Sequence, residues 1–329
     1  MTVAVRDPAA AASVLADVLS SQDGGAVRLA RLDLADRHPV ADFVDGWSGP
    51  LDLLVCHAVV MALPREQCTA EGWEMQFATN YLGHFALATG LPGALALAGR
   101  ARIVPLGSSG HLFCPALFDD PFFDSTPYDP LLAYGRSRTA TALSAVGATR
   151  AWAGDGITCN AVMPEAIATR LRRHTGGPRA PAERHKTPQQ GAATTLFAAT
   201  SPLLAGIGGL YHEDVGEAEV LDRRTPDLAG VASYALDQRN ADRLREMSRE
   251  SLAGRGVPSR AAGAGLVRDR GAPSRGRAHT HPPAGGSAVD VPGRASRRPG
   301  RRRYTRWDRR NQVKAAQPGS TGNQNVASR

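Results

Sequence analysis

The chain has 329 residues, and 42% of them are hydrophobic, which is enough for the core of one large domain or two small ones. Residues 251–329 hold 17 of the 39 Lys and Arg residues but only three of the 31 acidic ones, so the first 250 residues carry a net charge of −6. The pI of about 9.8 therefore belongs to the C-terminal part, and the globular part is acidic.

Four cysteines are widely spaced, without a CxxC pair or a cluster of metal-binding spacing. We expect them to be buried thiols in a reducing compartment, and we expect no metal. The N-terminus lacks a basic segment followed by a long apolar run, and no stretch of 18 apolar residues occurs. The expectation is therefore a cytoplasmic protein without a signal peptide or a membrane span.

Hydrophobic patterning predicts strands that alternate with helices over the first 250 residues. The predicted strands cover 2–5, 27–34, 51–55, 101–106, 157–163 and 209–211. The predicted helices cover 9–19, 38–47, 70–97, 131–152, 188–199 and 229–250, the last with a break near 237. Such alternation favours an α/β fold with a parallel sheet covered on both faces, in which ligands bind at the carboxyl ends of the strands.

Within the predicted helix 131–152, a phenol and a guanidinium stand four residues apart. Tyr134 and Arg138 should therefore lie side by side on one helix face. A fixed cation favours the phenolate and so makes the phenol a better proton donor or acceptor near neutral pH. Such a pair suits proton exchange with a carbonyl or alcohol oxygen while a cofactor moves a hydride. The alternative is a half-buried Tyr with a surface Arg one turn on.

Six motifs in a fixed order carry a resemblance to a known family. They are Leu32-Asp33-Leu34, Gly49-Pro50-Leu51-Asp52-Leu53-Leu54-Val55, Asn80-Tyr81-Leu82-Gly83-His84-Phe85, Arg102-Ile103-Val104 with Ser108-Ser109-Gly110-His111, Tyr134 with Arg138, and Asn160-Ala161-Val162-Met163-Pro164. From about residue 2 to 250 the chain resembles the short-chain dehydrogenase/reductase family, in particular its retinol-dehydrogenase and WW-domain-oxidoreductase-like branch. The resemblance implies a Rossmann-like, doubly wound parallel sheet in a domain of residues 1–251.

This resemblance also implies roles for catalytic residues. Tyr134 would be the general acid/base. Ser108 would hydrogen-bond the substrate oxygen, with Ser109 as the alternative if the alignment shifts by one residue. Asn80 would support a water that relays protons. Arg138 stands where the family has a lysine and would donate to ribose hydroxyls of the cofactor, and Tyr134 beside it would also belong to the cofactor-binding residues.

A nicotinamide cofactor is implied at the carboxyl edge of the sheet. Asp33 would accept a hydrogen bond from the adenine amine, and Thr169 would bond the nicotinamide carboxamide. Ala58 belongs to the cofactor-lining segment after the strand 51–55. Arg6 follows the family's second strand, where a cation favours the 2′-phosphate of NADP. Asp7 beside it keeps NAD as an alternative.

The chain departs from the family pattern at several points. It begins at what corresponds to the second strand, so the first strand and the Gly-rich loop that cradles the pyrophosphate have no counterpart. We expect either a gap in the sheet or strands that close over it. Arg138 keeps the charge of the lysine but cannot release a proton at working pH. Val59 and Glu165 put larger side chains where the family has glycine.

Two functional hypotheses remain. The first is an NAD(P)(H)-dependent oxidoreductase acting on a carbonyl or alcohol of a small apolar molecule, with a mouth built by residues 111–130 and 169–188. The second is a member that keeps the fold but is catalytically impaired or inactive, the product of a truncated gene, with at most a binding role. His111 is interpreted as structural or as part of the mouth. Since family members are often dimers or tetramers, a homo-oligomer is possible.

Residues 252–329 are expected to form a disordered tail, since Gly, Pro, Arg and Ser dominate there without an apolar period. Its arginines, with Tyr304 and Trp307, could bind nucleic acid by phosphate contacts and stacking. The same composition arises when a GC-rich gene is read past its proper end or in a shifted frame, and no nucleic-acid partner is expected.

Overall fold

A computed structural model describes residues 1–20, 25–176 and 185–254, so the expected tail lies almost entirely outside the described residues. The strands are β1 (Thr2–Val5), β2 (Arg28–Arg31), β3 (Leu53–Cys56), β4 (Arg102–Pro105), β5 (Thr158–Cys159), β6 (Ala161–Met163), β7 (Ala166–Ile167), β8 (His185–Lys186), β9 (Tyr211–Glu213), β10 (Gly216–Glu217), β11 (Val220–Leu221) and β12 (Val231–Ala232). The helices are α1 (Pro8–Ser20), α2 (Arg37–Asp45), α3 (Met75–Phe77), α4 (Gly83–Gly90), α5 (Pro92–Leu97), α6 (Pro130–Trp152), α7 (Pro188–Thr200) and α8 (Gln238–Leu252). The predicted alternation of strands and helices is confirmed.

The main sheet is parallel except at one edge. β3, β4 and β5 pair in that order, β6 pairs with β9, and β10 runs antiparallel to β9. A single bridge from Leu106 to Val162 joins the two halves. Asn160 interrupts the strand predicted over 157–163, and its side chain bonds the backbone at Ile207 and Leu210. The sheet therefore continues across the interruption.

β1 and β2 form a separate parallel pair. Among the described residues, β1 pairs only with β2 and β3 only with β4, so each keeps one unpaired edge. Two apolar side chains of β3, Leu53 and Val55, are 36% and 39% exposed. Of the two expected alternatives, the described residues show the gap, and no described strand closes over it.

An apolar cluster around α2 and α4 attaches this pair to the main sheet. Its buried members come from the segment after β2, from α2 and from α4 and its end: Leu32, Leu34, Val40, Leu87 and Leu91. Partly buried Leu54 of β3 packs against them. Apolar burial, which stabilises by about 25 cal/mol per Å², replaces a backbone ladder here.

Gly83, the first residue of α4, marks the closest approach within this cluster. A Cβ built there would lie 2.2 Å from the carbonyl oxygen and 2.7 Å from the Cβ of Leu34. We expect Gly83→Ala to lower the free energy of unfolding by about 1–3 kcal/mol in urea denaturation, because overpacking forces the neighbouring backbone to shift. The control is Gly93→Ala on α5, where an added Cβ meets nothing within 4 Å. Equal losses in both variants would contradict this close packing.

The helix predicted over 70–97 is divided. α3 continues through a π-helical turn, Ala78–Leu82, into α4, and a break at Leu91 precedes α5. π-Helical turns occur frequently at functional sites, because the extra residue re-aims side chains. Asn80 lies inside this turn.

α6 agrees closely with its predicted range. It begins at Pro130 because the Asp129 carboxylate accepts hydrogen bonds from the backbone N–H groups of Leu131 and Leu132. Ala142 and Ala145 pack into one apolar cluster, and Leu143 packs into another. Burial on two sides makes α6 a rigid support for its side chains.

The helix predicted over 229–250 is wrong for its first residues. Val231 and Ala232 form β12, which pairs with β11, and α8 begins only at Gln238 after the cap Asp237. No helix in the described part of the chain is long and apolar enough to cross a membrane.

Candidate active site

Tyr134 and Arg138 lie side by side on α6, as their spacing predicts. The guanidinium carbon of Arg138 is 5.3 Å from the centre of the Tyr134 ring. Both side chains are buried, with 6% and 2% of their surfaces exposed. The alternative of a surface Arg is therefore wrong for this chain.

In the part of the chain that the structure describes, the Arg138 guanidinium has only neutral hydrogen-bond acceptors. Nη1 donates to the Leu106 carbonyl at 2.7 Å, and Nε donates to Ser137 Oγ at 3.4 Å. Within the described residues, Nη2 is buried without a hydrogen-bond partner. Burial lowers the pKa of Arg138, while nearby Tyr134 and Tyr211 oppose that shift. Since arginine stays charged at working pH, Arg138 is a buried cation beside the Tyr134 phenol.

The turn after β4 lies directly against Tyr134. Ser108 is half-buried, and its Oγ accepts a hydrogen bond from the Gly110 N–H at 3.1 Å. A Cβ on Gly110 would lie 2.8 Å from Cε1 of Tyr134, and one on Gly135 would lie 2.9 Å from the Gly110 carbonyl oxygen. Two glycines thus allow the turn that carries Ser108 and Ser109 to pack on the tyrosine.

Asn80 ties the segment after β3 to the same helix. Its Oδ1 accepts from Val60 N at 2.8 Å, and its Nδ2 donates to Val60 O and to Ser137 Oγ, both at 2.9 Å. Ser137 Oγ in turn donates to the Tyr134 carbonyl at 2.7 Å. Sequence reasoning missed Ser137, although its place beside Arg138 was a signal. The π-helical turn is what aims Asn80 at α6.

A small cavity lies behind Asn80, between α4, α6 and the sheet. His84, Cys56 and Cys159 line it together with Asn80. Burial raises the pKa of Cys56 to about 12 and lowers that of His84 to about 4, so both are neutral near pH 7. The prediction of buried cysteines is confirmed for Cys56, Cys114 and Cys159 and is wrong for Cys68, which is exposed.

Arg6 and Asp33 lie at one edge of the β1–β2 pair. Arg6 is exposed directly after β1, and half-buried Asp33 follows β2. The Asp7 carboxylate accepts from Ala9 N and Ala10 N at the start of α1, so it serves as a helix cap. The Asp7 carboxylate therefore caps α1, while the Arg6 side chain is an exposed cation at this edge.

The remaining cofactor candidates are surface positions. Ala58 is exposed after β3, and Thr169 is exposed after β7 with its Oγ1 accepting from Leu171 N at 3.4 Å. Glu165 has φ +68°, a conformation that favours glycine. In the described part of the chain, no three His, Cys, Asp or Glu side chains come together in a way that could hold a metal ion.

The loop expected to line the mouth is partly a core element. Phe122 is buried with its ring 5.6 Å from that of Phe77. Arg136 lies 3.7 Å over the ring of Phe123 and donates to the Asp120 carbonyl at 2.8 Å. Phe122 and Phe123 therefore pack on α3 and α6 and do not line a mouth. The mouth stays a prediction for the other residues of 111–130 and for 169–188, of which 177–184 lie outside the described residues.

No family model matches the chain. A Streptomyces antibioticus protein described as "Probable oxidoreductase" is 46% identical over 265 residues, covering 77% of this chain and 89% of the relative. The short-chain dehydrogenase/reductase prx1 of Penicillium roqueforti is 32% identical over 263 residues, covering 75% and 76%. The chain belongs to the short-chain dehydrogenase/reductase family.

A solved structure agrees with this membership. An uncharacterised protein from Mycobacterium Paratuberculosis matches with a TM-score of 0.57 and 26% identity, covering 77% of this chain and 83% of the other. This short-chain dehydrogenase/reductase is therefore an oxidoreductase with the Rossmann-like fold that the motifs implied.

Proposed function

We propose that this chain transfers hydride between a nicotinamide cofactor and a carbonyl or alcohol carbon of a small molecule, with Tyr134 as the general acid/base. The observation that carries the proposal is the buried pair of Tyr134 and Arg138, packed under the turn of Ser108. A phenol beside a buried cation suits proton exchange with a substrate oxygen. Family membership supports the reaction class.

The hydrogen bonds of the site indicate a separate role in the reaction for each residue. During reduction, Tyr134 gives its proton to the substrate oxygen, and the Arg138 cation stabilises the phenolate that remains. Ser108 Oγ already accepts from the Gly110 N–H, so its own proton is free to donate to that oxygen. Asn80 holds Ser137 and thereby the backbone of Tyr134. Ser109 remains the alternative to Ser108.

The residues present fit a nicotinamide cofactor, which supplies the hydride when bound. The buried Nη2 of Arg138 is a donor without a partner among the described residues, which suits a ribose hydroxyl. The Asp33 carboxylate offers an acceptor for an adenine amine. Thr169 Oγ1 accepts from Leu171 N and keeps its own proton to donate to a carboxamide. Exposed Ala58 leaves room for the cofactor at the end of β3. Arg6 favours NADP, with NAD as the alternative.

Arg6 gives the first test of this assignment. Arg6→Ala should raise the NADPH dissociation constant about tenfold, because one charge-assisted phosphate contact worth about 1.4 kcal/mol is lost, and should leave NADH binding unchanged. Isothermal titration calorimetry measures both. Arg100→Ala, which removes the same charge from the segment before β4, is the matched control. Equal weakening for the two cofactors would contradict the phosphate contact.

A second candidate is a binding member without turnover. The hydrogen bond from Arg138 Nη1 to the Leu106 carbonyl at 2.7 Å favours this second candidate. A guanidinium fixed by that hydrogen bond is less able to turn toward a ribose hydroxyl. NADPH binding by fluorescence at millimolar cofactor, followed by turnover with a panel of aldehydes and ketones, separates the candidates. Binding without turnover favours the second, and absence of binding excludes the enzyme.

A further inference from the structure

His111 is buried three residues after Ser108. It lies in the 3-10 turn Ser109–Phe113 and has 0% of its surface exposed. It therefore cannot line a substrate mouth. A fully buried imidazole needs hydrogen-bond partners for both ring nitrogens, and each partner constrains the segment to which it belongs.

Both ring nitrogens have such partners. The Ala232 N–H donates to Nε2 at 3.2 Å, and Nδ1 lies 2.6 Å from the Ser108 carbonyl oxygen. Since Nε2 accepts, the ring is neutral with its proton on Nδ1, and Nδ1–H donates to Ser108. Burial, which lowers the pKa of His111 to about 4, keeps that form at neutral pH.

The ring and backbone of His111 are held from three other elements. Its ring centre is 4.9 Å from that of Tyr211 on β9. Its carbonyl accepts from Tyr234 Oη at 2.5 Å and from Thr139 Oγ1 of α6 at 3.3 Å. The imidazole is thus fixed relative to β9, to the segment after β12 and to the helix that carries Tyr134.

We propose that His111 is a positioning residue for Ser108. Its Nδ1–H holds the Ser108 carbonyl, which also accepts from the His111 backbone N–H at 3.1 Å, and the two hydrogen bonds together fix the ψ of Ser108, 152°, which sets the direction of the turn. That turn brings the Gly110 N–H to Ser108 Oγ and leaves the hydroxyl proton for the substrate oxygen. The inference rests on the proposed function, because only then does the Ser108 hydroxyl have a substrate.

Two conservative substitutions separate positioning from packing. The amide nitrogen of Asn can stand near the place of Nδ1, whereas Gln reaches the place of Nε2. We expect His111→Asn to lower kcat by less than about threefold and His111→Gln to lower it about tenfold or more, with the NADPH dissociation constant unchanged in both. In a Ser108→Ala background, the difference between the two variants should vanish. Equal losses of kcat in His111→Asn and His111→Gln, or a difference in kcat between them that persists in the Ser108→Ala background, would overturn the proposal.

A matched control and a second readout keep the test independent of turnover. His212→Gln alters another buried histidine, whose Nδ1 lies 3.2 Å from the Gly216 carbonyl, and should leave kcat unchanged. By hydrogen exchange, the Gly110 amide should lose protection in His111→Gln and keep it in His111→Asn. If the wild type binds no cofactor, the proposed function fails, and this exchange still tests the turn.

If neither variant folds, a measurement on the wild-type protein still tests the proposal. Nitrogen-15 NMR of the His111 ring should show the proton on Nδ1 at neutral pH. A proton on Nε2 would overturn the proposal, since Nδ1 could not then donate to Ser108.

Discussion

Tyr134→Phe should lower kcat by about 10²–10⁴-fold, because the variant removes the hydroxyl that exchanges a proton with the substrate oxygen. The ring itself remains, so its packing against Gly110 is kept. NADPH binding should change little. Steady-state turnover of a carbonyl substrate, with calorimetry for the cofactor, measures the two effects separately.

Tyr81→Phe is the matched control for this loss. Tyr81 is also buried, and its hydroxyl pairs with Ser248 Oγ at 2.8 Å, away from the pair of Tyr134 and Arg138. Losing that hydrogen bond should cost about 1 kcal/mol of stability and leave kcat unchanged. If both variants retain full turnover, Tyr134 is not the general acid/base.

Arg138→Met should lower kcat by about 10²-fold or more, since it removes the buried cation that stabilises the phenolate. The variant also leaves the Leu106 carbonyl without its donor, which costs about 1–3 kcal/mol, partly offset because a buried charge is gone. Steady-state turnover and urea denaturation measure the effects on kcat and on stability.

Arg138→Lys distinguishes charge from geometry. Lysine keeps the positive charge but lacks the rigid guanidinium that is hydrogen-bonded to Leu106 and Ser137. Its ammonium can therefore move toward ribose hydroxyls. We expect turnover above that of the wild type. Unchanged turnover in both Arg138→Lys and Arg138→Met would show that this residue lies outside the site.

Local signals in the sequence were sufficient for some elements and insufficient for others. Asp129 and Pro130 mark the start of α6, and a capping box of Thr187 with Gln190 marks α7. By contrast, the helix expected over 229–237 is wrong because residues 231–232 pair with β11. That pairing depends on Gly230, whose φ is +87°, and on the return of the chain to Val220, eleven residues before Val231. No local pattern specifies such a contact.

The same distinction holds for the site. Tyr134 and Arg138 lie side by side because they are about one helical turn apart, so their spacing alone predicted the contact. The bond between His111 and Ala232 joins residues 121 positions apart, and only the folded chain reveals it. The roles of Ser108, Asn80 and Thr169 remain predictions, as does a homo-oligomer.

The separation of the β1–β2 pair from the main sheet links cofactor affinity to local stability. Its attachment depends on apolar contacts such as those of Leu32 and Leu34 with α4. We expect a unit held in this way to open by local unfolding at a lower free energy than the core, as a foldon. Arg6 and Asp33 move with it. If Arg6 and Asp33 hold the nicotinamide cofactor as proposed, its apparent dissociation constant should rise in inverse proportion to the fraction of molecules in which this foldon is docked.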